Sequence, residues 1–248
     1  MYNPFSLEGK TILITGASSG IGQATAIESS KMGAKVIITG RDAERLQETF
    51  KQLEGGGHLQ FAADLTLTED IDKLINFIPH LDGLVNNAGI GNLLPVQFIS
   101  EKELDNLFTT NTFAPVLLTR LLLKKKKINK NASVVFTSSI GGTSIFVTGN
   151  ALYGMTKAAI NSFTKYVAIE FAAKGIRCNS VNPGMIETPF IKTDSFTEED
   201  KKQDIEKYPL KRYGNPLDVA YGIIYFLSDA SSWTTGSNLV IDGGVTLS

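Results

Sequence analysis

Tyr153 and Lys157 stand four residues apart in the stretch Tyr153-Gly154-Met155-Thr156-Lys157. Positions i and i+4 of a helix share one face, so a phenol and an ammonium can point into one cleft. A free tyrosine, with a pKa of about 10, is a poor acid–base catalyst near neutrality. A lysine cation held beside it stabilises the phenolate and draws that pKa toward working pH. The same pair also fits an ordinary solvated helix face, so the rest of the chain must choose between the two.

A second cluster with chemical meaning is Thr15-Gly16-Ala17-Ser18-Ser19-Gly20-Ile21-Gly22. It follows an apolar strand and opens a helix. Gly16 permits a tight turn, Gly20 lets backbone approach a pyrophosphate, and Gly22 allows helix to pack closely on strand. The helix start offers unpaired N–H groups and a positive dipole end to an anion. The loop has no Gly-Lys-Ser/Thr ending, which argues against a nucleoside triphosphatase loop.

Short apolar runs alternate with longer helical patterns and must position these groups. Strands are expected over 11–15, 35–39, 59–63, 83–86, 133–137, 177–181 and 238–241, and helices over 21–32, 43–53, 68–77, 100–124, 151–173 and 216–227. Continuous Val/Ile/Leu strands imply burial on both faces, hence a parallel sheet between helix layers. The expected fold is one doubly wound (Rossmann) α/β domain over 1–248 with about seven parallel strands. Its ligand site should lie at the carboxyl ends of the strands. Residues 187–210 are polar and break the pattern; they read as a loop with a short helix, placed to cover the crevice.

Composition narrows the function. The chain has 248 residues, 42% hydrophobic and 20% charged, with a net charge of −1. That gives no reason to expect nucleic acid or an anionic membrane as partner. Cys178 is the only cysteine, which suits a reducing cytosol and a buried inert thiol. His58 and His80, the only histidines, neighbour no ligand cluster. No metal site and no Ser-His-Asp hydrolase are therefore expected. Residues 1–9 lack the apolar core of a signal peptide, and no 18-residue apolar run occurs. The expected location is the cytoplasm.

With the loop and the Tyr–Lys pair both in hand, the chain resembles the short-chain dehydrogenase/reductase family from about Leu7 to Gly244, closest in look to its 3-oxoacyl-(acyl-carrier-protein) reductases. The Thr-Gly-x-x-x-Gly-x-Gly loop and Asn86-Asn87-Ala88-Gly89 match the family's motifs. By that resemblance Asn111, Ser139, Tyr153 and Lys157 form the catalytic set. Gly16, Ser18, Ser19, Gly20, Ile21, Asp64, Leu65, Asn87, Ala88, Gly89, Pro183, Gly184, Ile186 and Thr188 meet the cofactor, as do Tyr153 and Lys157. The spacing departs in one place: thirteen residues separate Ser139 from Tyr153, one more than usual. Ser138 and Ser139 both end the fifth strand, and Ser139 aligns better because Ile140-Gly141-Gly142 follows it.

The implied chemistry is hydride transfer to a carbonyl carbon, with Tyr153 as general acid, Ser139 bonding the carbonyl oxygen and Asn111 supporting a proton path to Lys157. The end of the second strand reads Gly40-Arg41. An acid there binds the ribose of NAD(H), whereas a guanidinium pairs with a 2′-phosphate, so NADP(H) is favoured over NAD(H). Ile90, Gly91, Leu93, Ile145, Phe146, Val147, Met185 and Phe190 are candidates for an apolar pocket, with loop packing the competing explanation. Lys124 to Lys127, Lys130 and Lys174 suggest a surface for an acidic acyl carrier protein, or simply a solvated face. The resemblance also implies a homotetramer or homodimer. A reductase of acyl thioesters, a reductase or dehydrogenase of free small ketones, diketones or alcohols, and a silent NADP-binding regulatory protein remain distinct readings. The intact Ser–Tyr–Lys set speaks against the last.

Overall fold

Strand β1 (Thr11–Thr15) has Ile12, Leu13 and Ile14 all fully buried. Consecutive burial requires cover on both faces, and each face has its own core. Leu13, Ile37, Leu84, Val134 and Cys178 pack on one side with Ile71, Leu74, Leu118, Leu122 and Ile160. Ile12, Ile14, Val36, Ile38, Val85 and Val135 pack on the other with Ala26, Leu46, Val219, Ile223 and Phe226. Side chains alternate across a strand, so one apolar run feeds both cores. Each fully buried Leu, Ile or Val contributes about 1.5–3 kcal/mol.

The structure is a computed structural model that describes residues 2–189 and 197–247. Phe190, and the part of the 187–210 loop from 190 to 196, lie outside the described residues. After β1 come α1 (Gly20–Lys31), β2 (Lys35–Gly40), α2 (Ala43–Phe50), β3 (Leu59–Ala62), α3 (Thr68–Phe77) and β4 (Leu81–Asn86). The second half holds α4 (Glu101–Phe108), α5 (Ala114–Lys124), β5 (Ile128–Thr137), α6 (Ala151–Phe171), β6 (Arg177–Pro183), α7 (Glu198–Ile205), α8 (Pro216–Leu227) and β7 (Asn238–Ile241).

The seven strands form one parallel sheet in the order β3-β2-β1-β4-β5-β6-β7. The order reverses between β1 and β4, which is where an open α/β sheet leaves a crevice at its carboxyl edge. The phosphate-type loop leaves β1 there, and Asn87 follows β4 there.

Two local differences from the sequence reading have clear causes. The helix expected over 100–124 is interrupted by a π-turn at Thr109–Phe113. Pro115 lacks the N–H that an α-helix would direct at the Asn111 carbonyl, so the ladder cannot run through unchanged. The short helix within 187–210 is α7, started by a reciprocal cap in which Thr197 and Asp200 bond each other's backbone.

Candidate active site

The glycine loop is held from below by β4. The Thr15 hydroxyl accepts the N–H groups of Asn87 and Ala88, each at 3.0 Å. The Asn87 side chain donates to the carbonyls of Thr15 (3.2 Å) and Gly16 (3.3 Å). Gly16 has φ +64, and a Cβ there would lie 2.8 Å from the Ala88 Cα, so no other residue fits that turn. A Cβ on Gly22 would lie 2.3 Å from the Gly16 carbonyl oxygen. Ser19 is the first cap of α1, yet its side chain makes no capping bond. The opening N–H groups of α1 therefore face the crevice without a side-chain acceptor, beside Ser18, Gly20 and Ile21. A helix start of this kind can receive an anion.

Ser138 and Ser139 have different partners. Strand alternation turns Ser138 into the core, where its hydroxyl donates to the Lys157 carbonyl at 2.9 Å. Ser139 faces the other way; its Oγ accepts the Gly141 N–H at 3.1 Å and is hydrogen-bonded with the Tyr153 hydroxyl. The turns between Gly142 and Tyr153 include Gly149 at φ +82.

Lys157 is 5% exposed, with its ammonium donating to the Thr137 carbonyl at 2.9 Å and lying 5.5 Å from the centre of the Tyr153 ring. Asn111, 1% exposed, sits in the π-turn. Its Oδ1 accepts from Ile90 N (2.8 Å), and its Nδ2 donates to Ile90 O (2.9 Å) and to Thr156 Oγ1 (3.2 Å). Gly89 separates the two: a Cβ there would stand 3.3 Å from Asn111 Oδ1 and 3.6 Å from Lys157 Nζ. The fold thus brings Asn111, Ser139, Tyr153 and Lys157 to one end of β5.

Burial dominates the titration of the pair. It pushes the Tyr153 phenol up to about 12, against the smaller lowering effect of the Ser139 bond. It pushes the Lys157 ammonium down to about 8. The sequence reading led us to expect the phenol below its ordinary value; the protein's own contribution is in the opposite direction, because desolvation disfavours the phenolate.

The remaining candidates divide. Thr188 lies against the loop, its methyl 3.1 Å from where a Gly20 Cβ would be. Gly184 donates to the Ile241 carbonyl at 3.0 Å as β6 ends at Pro183. The Ile186 side chain belongs to the core, so only its backbone could serve a ligand. Asp64 has one carboxylate oxygen occupied by Thr66 N (2.9 Å) and Thr66 Oγ1 (2.7 Å), and Leu65 packs on the core. Arg41 is exposed and has no hydrogen bond or ion pair among the described residues. Asp42, beside it, caps α2 by accepting from Arg45 N at 3.0 Å.

Sequence reasoning missed Thr137, whose carbonyl holds Lys157, and Thr156, which links Asn111 to the Tyr153 carbonyl. It also missed the contact of Gly142 and Gly154. A Cβ on Gly142 would lie 2.6 Å from Ala158 N and 2.9 Å from Gly154 O. A glycine inside a helix costs about 1 kcal/mol, and that penalty was the available signal of close packing. Gly142→Ala should lower stability by about 1–3 kcal/mol through overpacking and reduce turnover, because the turn carrying Ser139 must back away from α6. An unchanged urea midpoint would refute this.

The family model described as enoyl-(acyl carrier protein) reductase matches residues 16–246. The chain is 36% identical to the 3-oxoacyl-(acyl-carrier-protein) reductase FabG of Rickettsia prowazekii over 96% of this chain and 98% of that protein. It belongs to the short-chain dehydrogenase/reductase family. Solved structures agree. A short-chain type dehydrogenase/reductase from Mycobacterium marinum superposes with a TM-score of 0.88 at 30% identity, covering 99% of this chain and 98% of that one. A Beutenbergia cavernae protein with NADP bound at low occupancy gives 0.89 at 29%, covering 99% and 100%. As a member of the short-chain dehydrogenase/reductase family, the protein is an oxidoreductase. Among the described residues no helix is long and apolar enough to cross a membrane.

Proposed function

We propose that this oxidoreductase reduces a carbonyl to a secondary alcohol with NADPH, Tyr153 acting as general acid. The observation that carries the reading is the bond between Ser139 and Tyr153 above a buried Lys157, beside an α1 start that no side chain caps. The residues present fit a nicotinamide dinucleotide. The first turn of α1 with Ser18, Ser19, Gly20 and Ile21 would hold the pyrophosphate. Arg41 would pair with the 2′-phosphate. Asp64 and Leu65 would flank the adenine, with Asn87, Ala88 and Gly89 beneath the ribose. Pro183, Gly184, the Ile186 backbone and Thr188 would border the nicotinamide. When bound, a reduced nicotinamide supplies hydride to the carbonyl carbon. The growing charge on the carbonyl oxygen then takes the Tyr153 proton and a hydrogen bond from Ser139.

Lys157 makes that proton transfer practicable. While charged, its ammonium, 5.5 Å from the centre of the Tyr153 ring, favours the phenolate, in the direction opposite to burial. Asn111 fixes the floor beside Lys157 and supports a proton path to it. The ammonium is lost as pH rises through about 8, and the phenol becomes a weaker acid with it. kcat/KM for NADPH, which reports ionisations of the free enzyme, should therefore fall above pH about 8. Residual activity of Lys157→Met should lack that limb. A flat profile in the wild type would remove Lys157 from the acid–base chemistry.

A scan of NADPH oxidation over ketones, diketones and acyl thioesters tests the function as a whole. Tight cofactor binding without turnover on any class would favour a silent regulatory protein. A 3-oxoacyl thioester is supported by the FabG relative. The proposed carrier surface is less well placed: Lys124 to Lys127 and Lys130 lie at the start of β5, and Lys174 lies before β6. Ser139 follows the far end of this ten-residue strand, roughly 30 Å away at about 3.3 Å per residue. Lys125 and Lys127 are also already bonded, to Asp72 (2.9 Å) and to the Ile78 carbonyl (2.6 Å). Exposed Phe113, Leu117, Tyr166 and Ile169 on and beside α5 and α6 support a homo-oligomer, and the composition supports a cytoplasmic setting.

A further inference from the structure

Strand β6 ends at Pro183, and the backbone just beyond it is held almost entirely by other backbone. Gly184 N donates to Ile241 O at 3.0 Å, and Glu187 N donates to Gly214 O at 2.8 Å. Met185 O accepts from Gly214 N at 3.0 Å. The two bonds to Gly214 make a parallel bridge opposite Ile186. They use the groups on either side of Ile186, so its own N–H and C=O face the other way. The Ile186 carbonyl accepts from Thr188 Oγ1 at 3.3 Å, and its N–H has no acceptor among the described residues.

Met185 N is the exception to this backbone pattern. It donates to a side chain, the phenol oxygen of Tyr208, at 3.3 Å. Tyr208 follows α7 and is 6% exposed. Its ring stands edge-on to Tyr213, with centroids 5.4 Å apart and planes at 80°. On another side it lies against Gly243, where an added Cβ would be 3.4 Å from Tyr208 Cδ1. Tyr213 in turn donates its hydroxyl to Asp204 on α7 at 2.8 Å, and Leu210 N ties the turn to Gly243 O at 3.2 Å. A phenylalanine would fill this space equally well. A buried hydroxyl costs free energy unless it is partnered, and the partner here is the Met185 N–H. Burial also holds the Tyr208 phenol above its ordinary value, so it is the neutral phenol oxygen that accepts.

We infer that Tyr208 is a positioning residue for the nicotinamide end of the cofactor: its hydroxyl pins Met185 and thereby fixes the direction in which the Ile186 N–H faces. The assignment rests on the nicotinamide reading above and adds to it a residue that borders no ligand itself. Tyr208 acts through the backbone of residues 185 and 186.

The test compares two nucleotides on the full-length protein by calorimetry: NADPH and 2′-phospho-ADP-ribose, which is the same molecule without its nicotinamide. The wild type should bind NADPH more tightly. Tyr208→Phe should lose about three- to tenfold in NADPH affinity, the worth of one neutral hydrogen bond, while the truncated nucleotide binds as before. A merely structural role would weaken both alike. Tyr213→Phe is the control, because it breaks the bond to Asp204 and keeps both rings; its preference for NADPH should match the wild type. Site-resolved hydrogen exchange reads the bond itself without cofactor. The Met185 amide should be protected in the wild type and exchange at least ~10-fold faster in Tyr208→Phe. The wild-type measurement stands alone should that variant fail to fold: an unprotected Met185 amide would overturn the assignment. So would equal loss of both nucleotides in Tyr208→Phe, an unmoved preference, unaltered exchange in that variant, or an equal effect of Tyr213→Phe. Each of those results leaves the nicotinamide reading standing. A wild type that binds the two nucleotides equally, or binds neither, would overturn that reading and this assignment together.

Discussion

Tyr153→Phe should lower turnover on the best substrate by at least ~10²-fold, the usual worth of a positioned general acid, while cofactor affinity should stay nearly unchanged. The variant is a clean one because the rest of the site does not depend on the hydroxyl. The phenyl ring keeps its place on α6 beside Lys157. Ser139 keeps the Gly141 N–H that orients it at 3.1 Å. Lys157 keeps its 2.9 Å bond to the Thr137 carbonyl. What is lost is the proton that must reach the carbonyl oxygen as charge develops there, and water would have to replace it. The experiment compares kcat of the two proteins with NADPH affinity measured by fluorescence titration. Near-normal kcat in Tyr153→Phe would end the proposed mechanism, whatever else the protein binds.

Arg41→Ala should weaken NADPH by roughly 1.5–3 kcal/mol, about ten- to 150-fold, as expected for a charge-assisted bond to a phosphate. NADH, which has no 2′-phosphate, should hardly respond. The structure makes the variant selective. Arg41 is exposed and holds no partner among the described residues, so its removal leaves the fold intact. Asp42 has one carboxylate oxygen engaged at the start of α2, accepting from Arg45 N, and it makes no ion pair with Arg41 among the described residues. Gly40 before it has no side chain that could repel a phosphate. Isothermal titration with each cofactor measures the difference. Equal weakening of both would show that Arg41 shapes the end of β2 and does not read the phosphate.

The sequence by itself determined the architecture and the kind of chemistry. Apolar strands without alternation can be stable only between two helix layers, so the parallel sheet followed from runs such as Thr11–Thr15 and Lys35–Thr39. The four-residue spacing of Tyr153 and Lys157 placed them on one helix face, and Gly16, Gly20 and Gly22 marked a loop whose backbone must come close to something else. These are periodic or local properties, and a chain segment carries them wherever it ends up.

Tertiary structure decided what depends on distant partners. Ser138 and Ser139 are neighbours of the same type. Only the docking of α6 on the end of β5 turns one into an anchor for the Lys157 carbonyl and the other toward Tyr153. The same docking shields both ionisable groups, so the phenol rises and the ammonium falls, effects of burial that spacing cannot show. The lysines around 124–130 look like a docking surface in the sequence, yet strand direction carries them to the sheet edge away from the site. Leu93, Phe146 and Val147 read equally as pocket or loop packing until the packed molecule leaves those side chains exposed. Exposure and direction are properties of the packed molecule, because each is set by residues fifty or a hundred positions away.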